Sequence, residues 1–201
     1  MRGAETGDPD RVDDPGTIPE FDCHGNLPDG VYPCDELTLR ARFVEPFPSS
    51  QTRQANYDGF MPLREDATRH GIVGTQWVDG SFVTSKPAPG DVDLVTFCDY
   101  DFLNRLSQPA QAFVRQCVAG RAATQARYRT HTFLVASCNA CHPHYPVFES
   151  CRAYWRKWFG TTRGTPNPAG PDLPGRPKGF VQMALADPAN APIIRAERSQ
   201  A

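Results

Sequence analysis

Hydrophobic residues come in short bursts separated by glycine, proline and charge, and the bursts alternate between a period of two and a period near 3.6. Ile72 to Val78 and Asp91 to Phe97 are apolar stretches bounded by turn residues, which predicts two strands. Thr130-His131-Thr132-Phe133-Leu134-Val135 predicts a third, and Lys178 to Leu185 a late edge strand. Asp35 is placed to cap a helix through about Arg42, and Ser49 or Ser50 to cap another running past Tyr57, Phe60, Met61 and Leu63 towards His70. Gly59 and Pro62 weaken that second helix and Gly71 ends it. Asp101 precedes Phe102 and Leu103 as an N-cap. Pro109 opens a helix through Phe113, Val114 and Cys117, and Gly120 separates it from Arg121 to Tyr128. Val147 to Phe159 is an aromatic-rich helix stopped by Gly160.

Strands interleaved with helices predict an α/β (α+β) fold, a small mixed β-sheet with flanking helices. The polar, Asp- and Pro-rich residues 1–17 read as a disordered tail, and 186–201 as a flexible one. Residues 18–185 are left as a single domain. Within it Ile18 to Cys34 reads as an extended arm and Gly164 to Gly175 as a proline-rich loop.

At 201 residues the chain can bury one real core. A net charge of −2 supplies no global field for gripping a nucleic-acid backbone, so any such partner needs a local patch. No apolar run approaches the roughly 18 residues of a membrane helix, and the first residues lack the apolar core of a signal peptide. The expectation is a cytoplasmic protein that does not engage a membrane. Seven cysteines, an odd count without an export signal, then read as reduced thiols, with Cys23, Cys34, Cys98, Cys117 and Cys151 as buried or half-buried hydrophobes.

Two clusters carry chemistry. Gly80-Ser81 closes the first strand and Asp91-Val92-Asp93 opens the second. Side chains at i and i+2 share a face, so Asp91 and Asp93 project together and repel unless a cation sits between them. Mg²⁺ suits such a pair, because it takes a few hard oxygens and lets phosphates and water complete its shell. Gly80 lets backbone approach a phosphate, and Ser81 adds a hydroxyl and an N–H. The competing reading is a turn entering a half-exposed strand with solvated acids. The second cluster is Cys138-Asn139-Ala140-Cys141-His142 with His144, a spacing shared by haem attachment and zinc knuckles. All four ligands crowd into one short segment, so an irregular loop is the plainer reading.

Three stretches carry a resemblance: Ile18 to Phe21 with Gly25 to Pro28; Val78-Asp79-Gly80-Ser81-Phe82-Val83-Thr84 leading to Asp91-Val92-Asp93; and Gly175 to Val181. On them the chain resembles a bacterial branch, of unknown function, of the nucleotidyltransferase-fold (DNA polymerase beta-like) superfamily. That resemblance implies transfer of a nucleotidyl group, usually AMP from ATP or another NTP, onto a hydroxyl of a protein, a nucleic acid such as RNA, or a small molecule. Gly80 and Ser81 would hold phosphates, and Asp91 and Asp93 would bind Mg²⁺ or Mn²⁺. It also implies a toxin–antitoxin or phage-defence setting, with a partner protein encoded nearby. The superfamily places a third carboxylate on a later strand, where this chain has His131. A neutral histidine can serve as general base but is a poor Mg²⁺ ligand. The alternative is therefore an inactive nucleotide-binding module.

Lys86, between Ser81 and Asp91, and Lys178, with Arg163 and Arg176 flanking the proline-rich loop, are candidate phosphate ligands. Arg152, Arg156 and Lys157 beside Tyr154, Trp155 and Trp158 suit stacking of single-stranded bases, or else a helix whose core face holds Trp155 and Trp158.

Overall fold

The computed structural model describes residues 18–164 and 172–185. The expectations for both tails and for the middle of the proline-rich loop lie outside them. Five strands form one mixed sheet in the order β1-β5-β2-β3-β4: β1 Val31–Pro33, β2 Gly74–Asp79, β3 Val92–Asp99, β4 Thr130–Ser137 and β5 Phe180–Leu185. Six helices accompany it among the described residues: α1 Glu36–Phe43, α2 Arg53–Arg69, α3 Tyr100–Leu103, α4 Gln108–Val118, α5 Arg121–Tyr128 and α6 Tyr145–Phe159. A mixed α/β architecture is what the alternating periodicities require.

Period-two alternation sends side chains to two faces, each with its own core. Val78, Val92, Leu94, Cys98, Val181, Met183 and Leu185 join Phe60, Leu63, Phe82, Phe113 and Tyr128 in the larger cluster. Trp77, Val95, Phe97, Val135 and Phe180 meet Phe159 and Trp155 of α6 on the other face. Burying each such side chain contributes about 1.5–3 kcal/mol.

Several expectations change. The late strand is not an edge: β5 lies between β1 and β2, parallel to the first and antiparallel to the second. The arm before Cys34 is not wholly irregular, because Val31–Pro33 form that edge, where a proline lacking an N–H is tolerated. Gly59 and Pro62 both sit inside α2. A Cβ on Gly59 would lie 2.6 Å from the Tyr128 carbonyl oxygen, so this glycine permits close packing of α2 on the end of α5. Pro62 and Asp58, the residue whose carbonyl it leaves free, are exposed to water. Asp99 rather than Asp101 caps α3, accepting from the Phe102 amide at 2.8 Å. Ser50 accepts from the Arg53 amide at 3.2 Å at the head of α2. Cys23 is exposed instead of buried, and all seven cysteines are free thiols.

No described helix is long and apolar enough to cross a membrane.

Candidate functional site

The antiparallel β2–β3 pair places Asp79 opposite Asp93, and the parallel β3–β4 pair places Asp93 opposite His131. One row across three strands therefore carries two carboxylates and an imidazole on one face, with neighbouring side chains in reach of each other. His131 Nδ1 lies 3.3 Å from Asp93 Oδ1. Gly80 follows β2 at φ 81 and a three-residue 3-10 turn, Ser81–Val83, follows it. A Cβ on Gly80 would sit 2.2 Å from Asp93 Oδ2, so the carboxylate lies directly over the glycine. Any side chain there would displace Asp93, and an L-residue would also be strained at that φ.

Electrostatics divide the acids. Burial, followed by repulsion from Asp91, raises the pKa of Asp93, and the His131 imidazole opposes this. Asp79 is buried and pushed up to about 6, chiefly by desolvation, against the pull of Lys178 and the Gly80 amide. Lys178 Nζ donates to Asp79 Oδ1 in an ion pair whose partners are both buried. Asp91 is also buried, with Arg121 Nη2 2.8 Å from its Oδ2. That oxygen has no aligned hydrogen-bond donor, so the contact is ionic.

The structure thus gathers Gly80, Ser81, Asp91, Asp93 and His131 at one end of the sheet. Lys178 is there too but in a different role. It is neither a solvated cation nor an open phosphate ligand, because its amide donates to the Gly160 carbonyl at 2.9 Å and its ammonium is occupied by Asp79. Lys86 is exposed on the intervening loop. Sequence reasoning missed Asp79, Arg121 and Arg53. Asp79 was readable, since it precedes Gly80 and shares the strand parity of Trp77.

Arg53 explains why the loop from Phe82 to Lys86 holds its shape. Its fully buried guanidinium donates to the carbonyls of Phe43 at 2.6 Å, Phe82 at 2.8 Å, Thr84 at 2.5 Å and Lys86 at 2.6 Å. The start of β4 is fixed separately. Arg129, at φ 52, is the one left-handed non-glycine residue among those described, and its carbonyl accepts from the Val92 amide at 3.0 Å. Next to it Tyr128 Oη donates to Asp66 at 2.6 Å, tying α5 to α2.

Among the described residues no group of three or more His, Cys, Asp or Glu side chains forms a metal-holding cage. Cys138, Cys141, His142 and His144 therefore do not converge as a zinc site would require. His142 and His144 instead pack their rings 4.9 and 4.8 Å from Tyr100. A cation on Asp91 and Asp93 would need substrate phosphates to complete its shell, which is how Mg²⁺ is usually bound. The mutual repulsion of the pair and the lack of an aligned donor on Asp91 Oδ2 fit that use.

No curated protein and no solved structure matches the chain. Residues 19–184 match DUF6932, a family of unknown function, and the chain belongs to that family.

Proposed function

We propose that the protein is a divalent-cation-dependent nucleotidyltransferase that moves an NMP, with AMP from ATP as the first candidate, onto an acceptor hydroxyl. The observation that carries this reading is the contact of the Gly80 turn with Asp93, with His131 on the far side of the same carboxylate. A place for phosphate, a place for a cation and a base then lie side by side.

In this reading Gly80 and Ser81 hold the terminal phosphates through backbone approach and a hydroxyl, and exposed Lys86 adds charge. Asp91 and Asp93 hold Mg²⁺ or Mn²⁺, which when bound neutralises phosphate charge and polarises the reacting phosphorus. The acceptor oxygen bonds to the α-phosphorus as the bond from that phosphorus to the β-bridging oxygen breaks. Pyrophosphate leaves with the electron pair, and the hydroxyl proton passes to His131, which Asp93 orients. Lys178 keeps Asp79 paired and so limits the negative charge beside Asp93.

The test is incubation with each labelled NTP, Mg²⁺ or Mn²⁺ and cell lysate, for the parent and an Asp91→Ala/Asp93→Ala variant. Label on protein or RNA with the parent alone supports the reading, and label transfer by both defeats it. The second reading, an inactive nucleotide-binding module, is favoured by Arg121 already engaging Asp91 and by His131 in the third-carboxylate position. It predicts nucleotide binding with no transfer by either protein.

A further inference from the structure

α6 covers one face of the sheet, but only half of its aromatic side chains face inward. Trp155 lies 4.4 Å from Phe133 and Phe159 lies 5.9 Å from Phe180, both on the sheet. Tyr154 and Trp158, one turn apart, stay 54% and 59% exposed. Their rings stack on one another at 6.0 Å with an 18° interplanar angle, and Tyr154 also meets Trp155 edge-on at 5.3 Å. An exposed aromatic pair of this size offers a contact surface for a ligand.

The ring contacts do not end on the helix. Phe133 continues to His131 at 4.4 Å, and His131 reaches Asp93 at 3.3 Å. A row of aromatic side chains therefore leads from Trp158 through Tyr154, Trp155 and Phe133 to the base of the candidate site. Cations lie on the same helix and just beyond it. Arg152 is paired with Glu149 and Arg156 packs over the Phe180 ring, which leaves Lys157 and Arg163 as the charges open to a ligand, in a molecule whose net charge is −2. Lys157 and Arg163 are exposed. An open groove of about 470 Å³, lined by Val147, Cys151, Tyr154 and Trp155 among others, flanks the platform.

Stacked exposed rings beside a local run of cations suit a single-stranded polyanion with flat bases, because every base offers a π-face and every linkage a phosphate. We infer that α6 is a binding platform for single-stranded nucleic acid, which delivers a terminal sugar hydroxyl to Asp93 and His131 as the acceptor. The binding half stands on the platform alone. The acceptor half rests on the proposed nucleotidyl transfer, with the same bonds formed and broken and the NTP as co-reactant.

The experiment is fluorescence anisotropy of the full chain with a labelled single-stranded RNA of about ten nucleotides, run beside thermal melting with ATP and Mn²⁺. The parent is expected to bind, and Tyr154→Ala/Trp158→Ala to weaken binding at least about tenfold, with its melting response to ATP unchanged. Lys157→Ala/Arg163→Ala should flatten the dependence of log K on log salt by about 1.4. Both double variants alter exposed residues, so folding is retained. No RNA binding by the parent, or equal binding by the aromatic variant, overturns the platform even where ATP still shifts melting. Binding by the parent without any ATP effect upholds the platform and overturns the transfer that its acceptor role requires. Displacement of the RNA by an equal concentration of duplex also overturns it, since duplex bases cannot stack on the rings.

Discussion

Asp93 is the residue on which the site turns, and it costs the fold something to keep. It is half-buried, faces Asp79 on the neighbouring strand β2 and is repelled by Asp91. Neutralising it removes that repulsion while an amide oxygen can still accept from His131. In the absence of divalent ions Asp93→Asn is expected to raise the urea midpoint at neutral pH, and to abolish the proposed transfer. Urea denaturation checks this, and a lower midpoint would mean that Asp93 is a structural acid. Asp79 makes a pH prediction. Its pKa, about 6 in the folded protein, lies above that of a free aspartate. Its stabilising contribution is therefore complete below the ordinary carboxylate range and is lost as pH rises through about 6, a change of roughly 3 kcal/mol. Asp66 behaves oppositely: the Tyr128 hydroxyl and two arginines depress its pKa, so its contribution is lost only as the solution becomes strongly acidic. Melting temperature should decline between about pH 4 and 6.5 in the parent, and Asp79→Asn should reduce that decline to the part contributed by Asp93, whose pKa is also raised.

At the scale of elements, strands and helices were legible wherever their period was local. The α1 cap at Asp35, the stop at Gly160 and the β4 run from Thr130 all follow from neighbours within a few residues. Position in the sheet was not legible. The burial of β5 between two partners depends on β1, some 150 residues upstream, and no pattern within Phe180–Leu185 encodes that partner. The same limit hid Arg53. Its sequence neighbours mark it as an ordinary helix residue, yet it binds four carbonyls and lies under the Phe47 ring at 3.8 Å. Lysine keeps the charge but cannot supply the planar fork, so Arg53→Lys should cost roughly 2–4 kcal/mol through unsatisfied buried carbonyls. A urea midpoint unchanged by that substitution would show that the loop does not depend on the guanidinium.

Across the whole molecule, the site sits where β2 ends and β3, β4 and β5 begin, an arrangement set by the strand directions of a mixed sheet. Strand parity made the shared face of Asp91 and Asp93 readable, whereas the place of His131 beside Asp93 was suggested only by the resemblance and depends on the register of β4 on β3. The buried pairing of Asp79 with Lys178, 99 residues away, was not readable, since it needs the register of β5 on β2. The proposed transfer of a nucleotidyl group rests on these charges at the sheet end. The most direct measurement compares ATP labelled at the α-phosphate with ATP labelled at the γ-phosphate, incubated with the protein, Mn²⁺ and lysate. The account predicts that the α-label moves to an acceptor while the γ-label leaves in pyrophosphate. Transfer of the γ-label, or transfer of the α-label by Asp93→Ala as well, would contradict it.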